Sequence, residues 1–308
     1  NAVATNASTG EVSITATDGS NVFAFGGGFA GGKGAGVGLA FTLNVMTNAV
    51  VAKLDKKSQL YSVGDLTVES SITGFVTNVA VGGSAAKSTA VSGSVGVNQL
   101  SNVVTATIDD STVTAATLAA DWSDESTYSS TDQVVYNNTL WSAQQNVPVN
   151  QVPAESSDYW ESEDITGSGS VSVKATDSQT VTNVVGGVAF SAKGAVGAGI
   201  GLNFQDTTVS AIVDKSILTA NEVDVAASTT GVLSSIVIGG AGATTFALGG
   251  SIAVNETKNT LIAAVKNGSN IQAMSTVDIT AKDSSSLVVF AGAGAGSKGV
   301  AVGFSIAS

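Results

Sequence analysis

The segment Val209-Ser-Ala-Ile-Val-Asp214 has three relatives in the same chain: Val-Val-Ala-Lys-Leu-Asp at 50–55, Val-Thr-Ala-Thr-Ile-Asp at 104–109 and Leu-Ile-Ala-Ala-Val-Lys at 261–266. Their central alanines, Ala52, Ala106, Ala211 and Ala263, are spaced 54, 105 and 52 residues apart. Two further anchors keep the same beat. An Asn closes an apolar run at Asn44, Asn98, Asn203 and Asn255, again 54, 105 and 52 apart. Short alternations begin at Glu11-Val-Ser-Ile, Asp65-Leu-Thr-Val, Ser170-Val-Ser-Val, Glu222-Val-Asp-Val and Thr276-Val-Asp-Ile. Self-similarity at a fixed period is the signature of a repeat architecture, in which each unit buries its apolar face against the next. The interval of 105 is one unit of about 53 residues plus an insertion of about 52. The chain therefore divides into repeats over 1–116, an insertion from Thr117 to Ser168, and repeats again over 169–308.

Within each repeat the local pattern is strand. Val300, Val302, Phe304 and Ile306 alternate with Ala301, Gly303, Ser305 and Ala307, so large groups line one face and very small groups the other. Val, Thr and Ser are abundant, and 36 glycines weigh against helix. Turn signals fall between the strands at Gly31-Gly-Lys-Gly, Ala86-Lys-Ser, Ala192-Lys-Gly and Ser297-Lys-Gly. Each unit then holds about four strands. The fold expected is all-β, a right-handed parallel β-helix in which one unit makes two coils and equivalent Asn residues stack along the axis. The alternative is an antiparallel β meander solenoid, because 287–294, the Gly-Ser-Lys-Gly turn and 300–306 resemble a hairpin. Small residues on an outward face would leave a flat apolar strip, which packs on another part of the unit or on a neighbouring fibre.

Composition excludes several chemistries. The chain has no Cys, His or Arg, and 12 Lys stand against 24 acidic residues for a formal charge of −12. Cys/His zinc sites, Ser-His-Asp catalysis and Arg clamps on phosphate have no residues to build them. The scattered lysines argue against a nucleic-acid partner. Apolar runs of 8 to 12 residues, broken by Gly and Ser, are too short to cross a bilayer as helices, so direct membrane insertion is not expected. The chain begins mid-unit at Asn1 and reads as a piece of a longer array.

Phrases such as Lys298-Gly-Val-Ala-Val-Gly-Phe-Ser-Ile-Ala307, Gly249-Gly-Ser-Ile-Ala-Val-Asn255 and Ala106-Thr-Ile-Asp-Asp-Ser-Thr-Val-Thr-Ala115 resemble the repeats of filamentous-haemagglutinin-like and leukotoxin-type large bacterial surface adhesins. The resemblance covers everything but the insertion. It implies a secreted, extracellular, non-enzymatic β-helical rod whose partner is a host or neighbouring-cell surface glycan or protein, with self-association into fibres as a further expectation.

The insertion holds all three tryptophans and both prolines. Its candidate ligand-binding residues are Trp122, Tyr128, Tyr136, Trp141, Tyr159 and Trp160, whose rings suit stacking on sugars or on an apolar partner. It also carries nine acidic residues and no lysine. Of these Asp121, Asp124, Glu125, Asp158, Glu161, Glu163 and Asp164 are candidates for calcium, and no other cofactor is expected. The competing reading makes the same aromatics the core of a small folded flap, and it is favoured, since 52 residues need a core of their own to stay ordered. Asp55, Asp109 and Asp214 recur at one repeat position, but Lys266 replaces them in the fourth copy, so a turn role is preferred over calcium. A polysaccharide-active enzyme would need a carboxylate pair such as Asp158 with Glu161 or Glu163.

Overall fold

In the computed structural model the described residues are 3–7, 11–62, 64–115, 120–136, 139–163 and 169–308, with backbone alone for 3–7, 120, 121, 135, 139, 140 and 163. They form strands and turns with no helix. The solenoid strands pair in parallel, each with its repeat equivalent one unit away, so Gly194–Asp214 pairs with Thr89–Asp109 on one side and Phe246–Lys266 on the other. One repeat is therefore one coil of about 53 residues, not the two expected. The hairpin-like alternative fails for the same reason. Ser286–Ser297 pairs with Val232–Ala243 and Val300–Ala307 pairs with Phe246–Lys266, so the two halves of the apparent hairpin lie in different sheets.

Each coil is flattened between three parallel sheets. A base sheet contains Leu66–Ile72, Ser170–Asp177 and Ile217–Thr229 with their equivalents. A lobe sheet contains Val22–Gly32, Phe75–Ala86, Thr180–Ser191, Val232–Ala243 and Ser286–Ser297. A long sheet, built on strands of up to 21 residues such as Gly194–Asp214, runs behind both. After each long strand the chain turns through a left-handed residue at one repeat position: Lys56, Asp110, Lys215 or Asn267. A Ser hydroxyl then closes the turn, as when Ser216 Oγ donates to the Asp214 carbonyl at 2.7 Å while its oxygen accepts from the Ser111 N–H at 3.1 Å. Stacked Ser residues thus tie one turn to the next.

Two different cores result. Between the base sheet and the C-terminal half of the long sheet the interior is ordinary, with Val68, Ile72, Val104, Ile108, Val173 and Leu218 buried. Between the lobe sheet and the N-terminal half of the long sheet it is mostly Ala, Gly, Ser and Asn, with Val185 and Val237 beside Ala80 and Ala253, and with Val76, Val181 and Leu233 where the lobe meets the conventional core. Ala90, Ala189, Ala195, Ala241 and Ala247 form one cluster. A Cβ added to Gly187 would collide with the carbonyl oxygen of Ala198, and one on Gly239 with that of Gly250. The sheets therefore approach more closely than the roughly 10 Å of sheets separated by ordinary side chains. The small-residue face packs on another part of its own coil.

The corollary is that the large residues of the lobe face outward. Phe41, Val95, Ile200, Ile252 and Ile306 form one row on the outer face of the long sheet. Phe25, Val79, Val184, Ile236 and Phe290 form another on the outer face of the lobe sheet. Phe25 and Leu39 are each 64% exposed. The expected Asn stack is present inside: Asn44 donates to Asn98, Asn98 to Asn203 and Asn203 to Asn255, each at 2.9 Å. It marks the boundary between the small-residue lobe and the conventional core.

Candidate functional site

The insertion leaves the scaffold after Ala115 and rejoins it at Gly169. Its strands make a separate small sheet in the order 120–121, Gln133–Tyr136, Thr139–Ala143 and Trp160–Glu163, parallel for the first pair and antiparallel for the rest. Val134 and Trp141 pair across the hairpin, as do Ala143 and Trp160 across the next ladder. This alternation sends Val134, Trp141, Ala143, Val147 and Trp160 into one buried cluster.

The aromatics chosen from sequence are all brought together there. Trp141 is 7% and Trp160 3% exposed, and their indole N–H groups donate to the carbonyls of Tyr136 at 3.3 Å and Gln151 at 2.8 Å. Trp122 meets Tyr136 edge to face at 5.2 Å between centroids, and Tyr128 meets Trp160 in the same way at 5.3 Å. Tyr128 also receives the Ser123 N–H on its hydroxyl at 2.7 Å. Tyr159 packs half-buried against the same cluster. Edge-to-face pairs with satisfied polar tips are the way aromatics build a core. Trp141 and Trp160 therefore hold the insertion together, while Trp122, Tyr128, Tyr136 and Tyr159 keep part of their surface at its rim.

The acidic candidates are dispersed. Asp124, Glu125, Asp158 and Glu161 are exposed, and among the described residues no three acidic side chains come together as a metal site. The side chains of Asp121 and Glu163, and all of Asp164, lie outside the described residues. The open apolar surface that does exist there belongs to Val149 and Val152, which composition did not single out.

The recurrent aspartates have another role. Lys53 Nζ lies 3.2 Å from Asp109 and 3.2 Å from Asp55, and Lys266 lies 3.8 Å from Asp214, which also accepts from Asn267 Nδ2 at 2.7 Å. The Asp109 and Asp55 carboxylates together raise the Lys53 pKa. This column is an exposed ladder of ion pairs, worth little each.

Reading lysine by lysine missed one arrangement. Lys33, Lys87, Lys193 and Lys298 occupy the turns joining lobe strands to long strands in four of the five coils, all exposed at one end of the lobe. The signal was present in the sequence: segments 22–45, 75–98, 180–203, 232–255 and 286–308 contain none of the 24 acidic residues, and the only lysines in them are these four.

Comparison of the chain with protein-family models, with curated proteins and with solved structures returns no match.

Proposed function

We propose that this chain is a repetitive stalk segment of a secreted bacterial surface adhesin, non-enzymatic, with the insertion as its recognition module. The observation that carries the reading is that the scaffold runs in unbroken register past the insertion. Thr112–Ala115 pairs with the start of Ile217–Thr229, and Ser170–Asp177 pairs with the rest of it, so the strands on either side of the excursion meet one continuous strand of the next coil. A folded unit with its own core has been added to a rod that does not need it. Specificity then belongs to the exposed rim: Val149, Val152, the half-buried rings of Trp122 and Tyr136, and Asp124, Glu125, Asp158 and Glu161. The partner is a surface glycan or protein outside the cell.

The test compares the intact chain with a rim variant, Val149→Ser, Val152→Ser, Asp124→Asn and Glu161→Gln, on glycan arrays and on cells, with and without calcium. Binding by the intact chain that the rim variant loses supports recognition. Binding unchanged in the variant removes the insertion from that role. Binding by neither protein favours the alternative of a structural fibre subunit.

A further inference from the structure

We propose that the lobe is a membrane-inserting blade whose two outer faces sit in the hydrocarbon of a lipid bilayer and whose tip lysines reach the phosphates of the far leaflet. This stands apart from the reading of the insertion, since it uses none of the same residues.

The first observation is the inverted distribution of side chains. The lobe's interior is mostly Gly, Ala, Ser and Asn, with Val185 and Val237 as its larger members, while most of its Val, Ile, Leu and Phe face outward on both sides. Apolar rows of this extent mark an interaction surface. One bound protein molecule covers one of the two faces at a time. A solvent of hydrocarbon covers both, and both are apolar here.

The second is length. On the long sheet the apolar band runs from Gly194 to Leu202, nine residues, and gives way to polar and acidic side chains at Gln99, Asp206 and Glu256. On the lobe sheet the span from Thr182 to Phe190 is the same. Nine strand residues cover about 30 Å, the thickness of a bilayer core, which strands of about nine to eleven residues cross. Runs too short for a helix are long enough for a strand, so the run-length argument against insertion does not apply to this fold.

The third is charge. The lysine row is the lobe's only charge, and it lies at the tip, where anionic headgroups would meet it; the acidic residues all lie beyond the other end. The fourth is backbone satisfaction. Parallel ladders occupy both sheets, and the turns bond to the coil before them: Lys87 N donates to the Gly32 carbonyl at 3.2 Å, Gly194 N to Ser88 at 3.1 Å and Lys298 N to Thr244 at 3.1 Å. The inner coils thereby meet the requirement hydrocarbon imposes. In the described stack the open ladder edges are those of the outermost strands, which stacking of a second chain would close. Shallow apolar grooves lie between Phe29 and Phe190 on one face, about 370 Å³, and between Leu39 and Ile200 on the other, about 360 Å³.

The experiment is flotation of the 308-residue chain with phosphatidylcholine vesicles, with and without phosphatidylglycerol. A second measurement places an environment-sensitive dye on the tip through Lys193→Cys, the chain having no other cysteine. The expected result is co-flotation, stronger with the anionic lipid, and a dye shielded from dithionite added outside. The double variant Val184→Asp/Ile200→Asp, which leaves both interiors untouched, is expected to lower partitioning by roughly tenfold or more; Thr105→Asp, on the outer face of the long sheet beyond the band, is expected to leave it unchanged. The proposal is overturned if the chain fails to float with either vesicle, if the double variant floats equally well, or if the tip dye of bound protein is reduced at once from outside. Failure to float together with a lipid-independent dimer that the double variant dissolves would reassign the apolar faces to self-association.

Discussion

The backbone N–H of Gly169 donates to the carbonyl oxygen of Ala115 at 3.2 Å, bringing together the two residues between which the whole insertion is threaded. Register makes the relationship more specific. Ala115 occupies the position of Ala220 in the next coil and Ser170 that of Glu222, so Gly169 stands where Asn221 continues an unbroken strand. Deleting 116–168 and joining Ala115 to Gly169 is therefore expected to leave a folded solenoid with the same β-type circular dichroism. Aggregation of the shortened chain would make the insertion a structural cap.

Inside the insertion, Trp160→Ala removes a ring from the centre of the small core. The cost is about 3–5 kcal/mol, which a unit of this size does not have in reserve. Limited proteolysis is expected to cut within 116–168 while the scaffold remains resistant. Simultaneous loss of the scaffold would show that the two parts fold as one.

Adjacent glycines separate the two faces of the lobe. Gly187 points inward, where a Cβ meets the Ala198 carbonyl, whereas a Cβ on Gly186 finds nothing nearer than the Ile238 carbonyl at 3.9 Å. Gly187→Ala is expected to destabilise by about 1–3 kcal/mol or more through forced separation of the sheets. Gly186→Ala is expected to be neutral or slightly stabilising. Denaturant midpoints measure both, and equal effects would refute the close approach.

Asn203 is fully buried and links Asn98 to Asn255. Asn203→Ala strands a buried amide donor on one side and an acceptor on the other, for an expected loss of about 2–4 kcal/mol. Asn44, at the end of the stack, makes only the bond to Asn98 there, so Asn44→Ala is expected to cost about half as much. Equal costs at the two positions would contradict this count of stack bonds.

Asp177 and Asp283 lie on one file of the base sheet, with Thr229 between them. Burial pushes the Asp177 carboxyl above its ordinary pKa, against hydrogen bonds from the Gln179 N–H and from Asn102. Burial acts the same way on Asp283, but bonds from Asn259 and Ser285 outweigh it and leave its pKa lowered. The native state thus takes up a proton at Asp177 before the unfolded chain does. That contribution to stability grows as pH falls through the raised pKa toward the ordinary one. Asp283 contributes in the opposite sense: its stabilisation is present above the ordinary pKa and is lost as pH falls toward the lowered one. Carboxyl-carbon NMR titration should place Asp177 above and Asp283 below the ordinary aspartate value of about 3.9; the reverse order would contradict the burial difference.

Much of this molecule was legible from residue order. The period of about 53, the position of the insertion and the Asn stack follow from spacings at Ala52, Asn98 and Val171 that any reader can count. The strand character of each run follows from alternation at positions such as Val300 to Ala307. Even the clustering of Trp122, Trp141 and Trp160 announced a unit with a core of its own.

Three things were decided only in the tertiary structure. One repeat makes one coil because the sheets are flattened and pair residues 52 to 105 apart, a non-local choice that no window of sequence contains. Trp141 and Trp160 are interior because strands 139–143 and 160–163 pair in a register that turns both inward. Most of all, a period of two divides a strand into two faces without saying which one meets the opposite sheet. Gly187, Gly197 and Gly239 decide it: bare backbone can approach bare backbone where a branched side chain cannot, so the small face goes in and Val184, Ile200 and their neighbours are left outside.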